Sequence, residues 1–159
     1  MGLSPSPKRF SDRLLAIRCV LILALLAGCW PLVAAEPAPV AWHHDVNRAW
    51  QSTQQQGRPL LVFVTTNHCM YCTKMKQGTY SNAAVAATIN RSFVPLVLDG
   101  EAPSPLLKDL AVKAFPATFI ISPGAVILDR MDGYVAPDKL MARLAAVQAL
   151  ATAQTDRRD

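Results

Sequence analysis

The chain reads as a single α/β domain, a central mixed β-sheet flanked by helices. Three observations predict it. Short apolar runs (Leu60–Thr66, Phe93–Leu98, Ala117–Ile121) alternate with stretches whose apolar residues recur at helical spacing. The last of these runs is followed by Ser122-Pro123-Gly124 and a further apolar segment, which is the pattern of a hairpin. Leu60-Leu61-Val62-Phe63-Val64 is apolar without alternation, as expected of a strand covered on both faces.

Each element has its own local cause. Trp42 closes a short first strand. Asp45 is placed to cap a helix in which Val46, Ala49, Trp50 and Thr53 share a face, and Gly57 supplies the stop. Arg58-Pro59 leads into the central strand. A helix is predicted over Cys69–Gln77, ending at Gly78, and a second over Asn82–Asn90, capped by Ser81. Pro95 lacks an N–H and so assigns Phe93–Leu98 to an edge or a bulge. Asp99–Pro105 reads as a loop and Leu106–Lys113 as a short helix with Leu106, Leu107, Leu110 and Ala111 inward. Ala117–Ile121 and Val126–Asp129 form the hairpin, and Gly133 breaks the chain. Pro137 opens a last helix lined by Leu140, Leu144 and Val147, and Thr152–Asp159 is polar and expected to fray. Strand–helix–strand crossovers predict parallel neighbours, with the hairpin adding antiparallel strands.

The N-terminus is read separately from the fold. Lys8, Arg9, Arg13 and Arg18 precede the aliphatic run Cys19–Ala27, which falls short of the roughly 20 residues of a membrane span and has the layout of a secretory signal. Leu26-Ala27-Gly28-Cys29 resembles a bacterial lipobox, in which Cys29 is lipidated and begins the mature chain. Val33-Ala34-Ala35 is an alternative cleavage site. The lipobox is the preferred reading, giving residues 1–28 as signal and 29–41 as linker.

Four of the sixteen Lys and Arg residues, and one of the eleven acids, precede Glu36, so the remainder carries a charge near +2 with no basic run suited to nucleic acid. Val46–Leu98 contains no acid, while Arg48, Arg58, Lys74, Lys76 and Arg91 are cationic. That half is positive, which either favours a thiolate within it or makes a solvated basic face.

Two of the four cysteines fall in the leader, leaving Cys69-Met70-Tyr71-Cys72. This is neither a disulfide framework nor the four-ligand set of a structural zinc site. Residues i and i+3 at the start of a helix share a face and can close into a disulfide. A strand feeding that helix puts Cys69 at its N-terminus, where free N–H groups and the helix dipole stabilise a thiolate. In an exported chain the pair points to reversible thiol–disulfide work outside the cytosol.

Three stretches together, Arg58–Phe63 running into His68–Cys72, Phe93-Val94-Pro95-Leu96 closing in Asp99, and Val112–Phe119 ahead of the Pro-Gly turn and Gly133-Tyr134, resemble the thioredoxin-like superfamily. The likeness covers nearly all of residues 42–150, with 151–159 as a polar tail. It is similar to exported bacterial thioredoxin-like domains akin to the C-terminal domain of the transmembrane disulfide reductase. The resemblance implies the thioredoxin fold and a periplasmic thiol–disulfide oxidoreductase of the reductase or isomerase kind, tethered by lipid at Cys29 under the lipobox reading and released under the alternative cleavage. It would act on protein thiols and disulfides with a redox partner protein and use no cofactor beyond its own disulfide. It makes Cys69 the nucleophile, Cys72 the resolver, and Phe115-Pro116 the cis-proline loop that meets the substrate; Met70 and Tyr71 are candidate substrate contacts beside it, Tyr71 being equally readable as a helix-surface residue.

The departures from that family also bear on chemistry. Phe63 stands where many thioredoxins bury an Asp, and His68 replaces the Trp before the first Cys. His68 is either a modulator of the Cys69 thiolate or a surface residue. His43 and His44 read as a strand end, without metal-ligand spacing. Two further readings stay open: a Cu(I)-handling module using Cys69, Cys72, Met70, Met75 and His68 as soft or borderline ligands, and a non-catalytic peptide-binding domain.

Overall fold

The computed structural model describes residues 38–155, with side chains to residue 150. The expected leader, the Cys29 lipidation site and the cleavage site after Ala35 lie outside the described residues. Val40, expected in the linker, is buried, and Asn90 brackets its neighbours: Asn90 donates to the Pro39 carbonyl and accepts from the Ala41 N–H, both at 2.9 Å.

Helix α1 (Val46–Gln56) begins at Asp45, whose carboxylate accepts from the Arg48 N–H at 2.7 Å, and ends at Gly57 with φ 63°, a conformation glycine adopts without cost. Strand β1 (Leu60–Thr65) is buried along its whole length. Helix α2 (Met70–Lys74) continues into a π turn, Met75–Thr79, and α3 (Ala83–Ser92) follows. Strand β2 (Val94–Asp99), the short helix α4 (Pro105–Asp109), the hairpin β3 (Ala117–Ile121) and β4 (Ile127–Asp132), and α5 (Pro137–Thr155) complete the order.

The sheet is four-stranded and mixed, in the order β2-β1-β3-β4. β1 runs parallel to β2 and antiparallel to β3, which pairs antiparallel with β4. The connection through α4 therefore reverses the chain instead of making a parallel neighbour. β2 is an edge strand, as Pro95 requires: Val94 donates inward to the Pro59 carbonyl and Val97 outward to His43, so the missing N–H of Pro95 falls on the outer side. The expected first strand is reduced to a single bridge between His43 and Leu96.

Period-two alternation divides the core. Leu61 and Phe63 pack with Met75, Tyr80, Ile89, Leu140 and Leu144. Leu60, Val62 and Val64 pack on the opposite face with Ala49, Leu96, Leu110 and Phe119.

Four local expectations are corrected. Gly78 does not end its helix: buried Met75, Thr79 and Tyr80 carry the chain through it, outweighing the roughly 1 kcal/mol helix cost of glycine. The cap of α3 is Asn82, not Ser81, since its side chain accepts from the N–H groups of Ala84 and Val85. Helix α4 stops at Asp109, and Ala111, expected inward, is exposed with φ 45°. Helix α5 runs through Thr155, into the segment expected to fray.

Candidate active site

β1 delivers the chain to Cys69, which caps α2 with extended backbone (φ −100°, ψ 106°). Its Sγ accepts from the Cys72 N–H at 3.1 Å, and its carbonyl accepts from the Thr73 N–H at 3.1 Å. A sulfur at this position meets the free donors of a helix start, the setting that stabilises a thiolate once the sulfur is reduced. Cys69 and Cys72 are joined in a disulfide with Cα atoms 5.1 Å apart. Cys69 is partly exposed and Cys72 fully buried, so solvent reaches one sulfur's residue and not the other's.

Exposed apolar side chains occur at this end: Met70 is 74% exposed, Tyr71 54% and Phe115 39%. The antiparallel register, Val64 opposite Ala117, puts Phe115-Pro116 at the same end of the sheet as Cys69. The Phe115–Pro116 bond is cis, and Pro116 is buried with its carbonyl accepting from the Gly133 N–H at 2.7 Å. The β4–α5 loop is in turn tied to the cysteine-bearing helix. Thr79 donates to the Val135 carbonyl at 2.6 Å, and the Lys74 ammonium lies 4.7 Å from the centre of the Tyr134 ring.

The positive half is spread over the domain: Lys74 shares the helix of Cys72, while Arg58 is remote from it. Arg58 sits at the far end of β1 and donates to the carbonyls of Asn90 and Arg91, closing the C-terminus of α3. His68 is exposed beside Cys69, His44 is exposed, and His43 is engaged by β2. Of the soft or borderline ligands, Met75 is buried in the core and the two sulfurs are bonded to each other, while Met70 and His68 point to solvent. Among the described residues no group of three or more His, Cys, Asp or Glu side chains converges.

Beneath the site lies a feature the sequence did not announce. Phe63 packs against Tyr80 (ring centres 4.7 Å apart) and Trp42 (5.8 Å), and Tyr80 meets Thr118 in a buried hydroxyl pair at 2.9 Å. Thr118 is the register partner of Phe63. Burial pushes the Tyr80 phenol well above its ordinary value, and the bond to Thr118 offsets part of that rise. The layer that would hold a buried carboxylate in many thioredoxins is here aromatic, crossed by one neutral hydrogen bond. Gly100 is a second residue the sequence reading passed over; it packs against the Cε1–Cζ edge of the Phe115 ring.

A mixed sheet with a buried–exposed cysteine pair at the end of its central strand, and a cis-proline bend at that same end, defines a thioredoxin-like domain. The chain belongs to that family: the thioredoxin-like domain model matches residues 46–148. None of the curated proteins matches the sequence. Solved structures share the fold. A thioredoxin from Thermus thermophilus aligns with a TM-score of 0.63 at 22% identity, over 69% of this chain and 88% of its own. The DsbH oxidoreductase aligns with a TM-score of 0.63 at 18% identity, over 80% and 99%. The reduced C-terminal domain of Neisseria meningitidis DsbD aligns with a TM-score of 0.56 at 18% identity, over 63% and 91%. At these identities the likeness is one of fold.

Proposed function

We propose that this chain is a thiol–disulfide oxidoreductase of the bacterial cell envelope, exported by its leader and held at the membrane through Cys29. The observation that carries the reading is the asymmetry of the cysteine pair: Cys69 caps a helix with its sulfur on a backbone N–H, and Cys72 is sealed behind it. Reduced Cys69 attacks a substrate disulfide as a thiolate, forming a mixed disulfide and releasing one substrate thiol. Cys72 then attacks Cys69, closing the Cys69–Cys72 bond and releasing the second thiol. Two electrons pass to the substrate, and a redox partner protein must return them. The pair is its own redox group and no further cofactor is needed. Met70, Tyr71 and the Phe115-Pro116 bend form the surface against which a protein substrate is held, and His68 adjusts the charge next to Cys69.

The comparisons support the chemistry at the level of family. The envelope location rests on the residues of the leader. Among the described residues no helix is long and apolar enough to cross a membrane.

The test is reduction of insulin by the purified protein in the presence of dithiothreitol. Wild type is expected to accelerate it, and Cys69→Ser to return it to the uncatalysed rate. Cys72→Ser is expected to accumulate a mixed disulfide visible by mass. Alkylation of Cys69 is expected to show a midpoint below the ~8.5 of a free thiol. An unshifted midpoint together with a silent Cys69→Ser comparison would sink the reading.

A further inference from the structure

We propose that Gly100 is a positioning residue for the substrate groove, acting through the Phe115 ring. The inference rests on the oxidoreductase reading and deepens it. Phe115 stands at the same end of the sheet as Cys69, yet its ring lies over Gly100. It lines a cleft of about 350 Å³ whose other walls include Pro103, Ser104, Leu107, Lys108 and Val112. The ring fits there because position 100 has no side chain: a Cβ would collide with the Cε1 and Cζ edge of Phe115.

The backbone beneath the ring is pinned. The Gly100 N–H donates to the Thr65 carbonyl at 2.8 Å, extending the β1–β2 pairing by one residue. The Asp99 carboxylate accepts from the Glu101 N–H at 3.0 Å, and the Asp99 carbonyl accepts from the Ala102 N–H at 3.2 Å, closing a turn around the glycine. Phe115, by contrast, is 39% exposed, so its side chain can yield where the hydrogen-bonded backbone cannot. A methyl group at position 100 therefore displaces the ring and not the backbone. The displaced ring leaves the cleft and takes up space at the end of the sheet where the substrate chain must lie. Gly100 thus decides which wall the residue before the cis-proline presents to a protein substrate, while the cysteine chemistry stays untouched.

The experiment compares Gly100→Ala, Phe115→Ala and the double variant, using insulin as the protein disulfide and cystine as the small one. Gly100→Ala is expected to lower kcat/KM for insulin about tenfold, mostly through KM, as misplacement of a binding wall does. Cystine reduction, the pH midpoint of Cys69 alkylation and Tm should stay at wild-type values. In the double variant the methyl group has nothing left to displace, so its activity should equal that of Phe115→Ala alone. Additive losses, a Gly100→Ala variant that reduces insulin like wild type, or equal losses on both substrates would overturn the role. A Gly100→Ala variant that fails to fold would show that the ring does not yield to the methyl group, and would also overturn the role. A wild-type protein inactive on insulin overturns the oxidoreductase reading itself. Activity in wild type with no coupling between positions 100 and 115 overturns this inference alone.

Discussion

The two faces of the sheet are built differently although one strand supplies both. Leu60, Val62 and Val64 of β1 face an aliphatic layer under α1 and α4, completed by Ala49, Leu96, Leu98 and Leu110 with Phe119. Leu61 and Phe63 face the layer under α2, the π turn, α3 and α5, where Trp42, Phe63 and Tyr80 pack ring against ring. A buried hydrogen bond from Tyr80 to Thr118 and a part-buried one from Thr79 to the Val135 carbonyl run through this second layer. It is also the layer whose helix carries the cysteines. The difference teaches that the redox end is supported by directional contacts, which fix where α2 and the β4–α5 loop sit. The other face supplies bulk burial that tolerates small changes.

The largest test of this contrast compares substitutions on neighbouring residues of β1. Phe63→Ala is expected to cost about 3–5 kcal/mol, against about 2 for Val62→Ala, measured by urea unfolding. Equal losses would erase the distinction between the layers. Next, Tyr80→Phe leaves the Thr118 hydroxyl buried and unpaired, at a cost of about 1–3 kcal/mol. Combining it with Thr118→Val should cost less than the sum of the two single changes.

The same pair sharpens the comparison through pH. The folded phenol of Tyr80 is held above its ordinary value, so the protonated form is the one folding favours. Its contribution is intact below about pH 10, where an unfolded tyrosine is still neutral, and declines as pH rises beyond it. The expected slope is at most about 1.4 kcal/mol per pH unit, and Tyr80→Phe should remove it from the alkaline unfolding profile. The smallest effects belong to the helix starts. Asp45→Ala on α1 and Asn82→Ala on α3 should each lower stability by about 1 kcal/mol, whichever face their helix covers. A marked difference between the two caps would show that the layer, and not the cap, controls the outcome.

Much of this was legible in the residues. The uninterrupted Leu60–Val64 run placed the central strand, Pro95 placed the edge, and Asp45 and Gly57 bounded α1. The Cys69–Cys72 spacing put the disulfide at a helix start. The misses share a cause. Gly78 reads as a stop and Ser81 as a cap when only neighbours in sequence are weighed. The burial of Met75, Thr79 and Tyr80 carries the helix onward and moves the cap to Asn82. The cationic half reads as one patch, but β1 separates Arg58 from Cys69 by its whole length, and Arg58 serves the C-terminus of α3.

What the sequence determined by itself was periodic and local: which segments extend, which coil, and which two sulfurs lie within bonding reach. Those follow from side-chain spacing and backbone preference, which need no distant partner. The tertiary structure alone decided that Tyr80 meets Thr118 across the core and that Phe115 rests on Gly100. Such pairs join residues far apart in the chain, and the close approach exists only once the sheet has set its register.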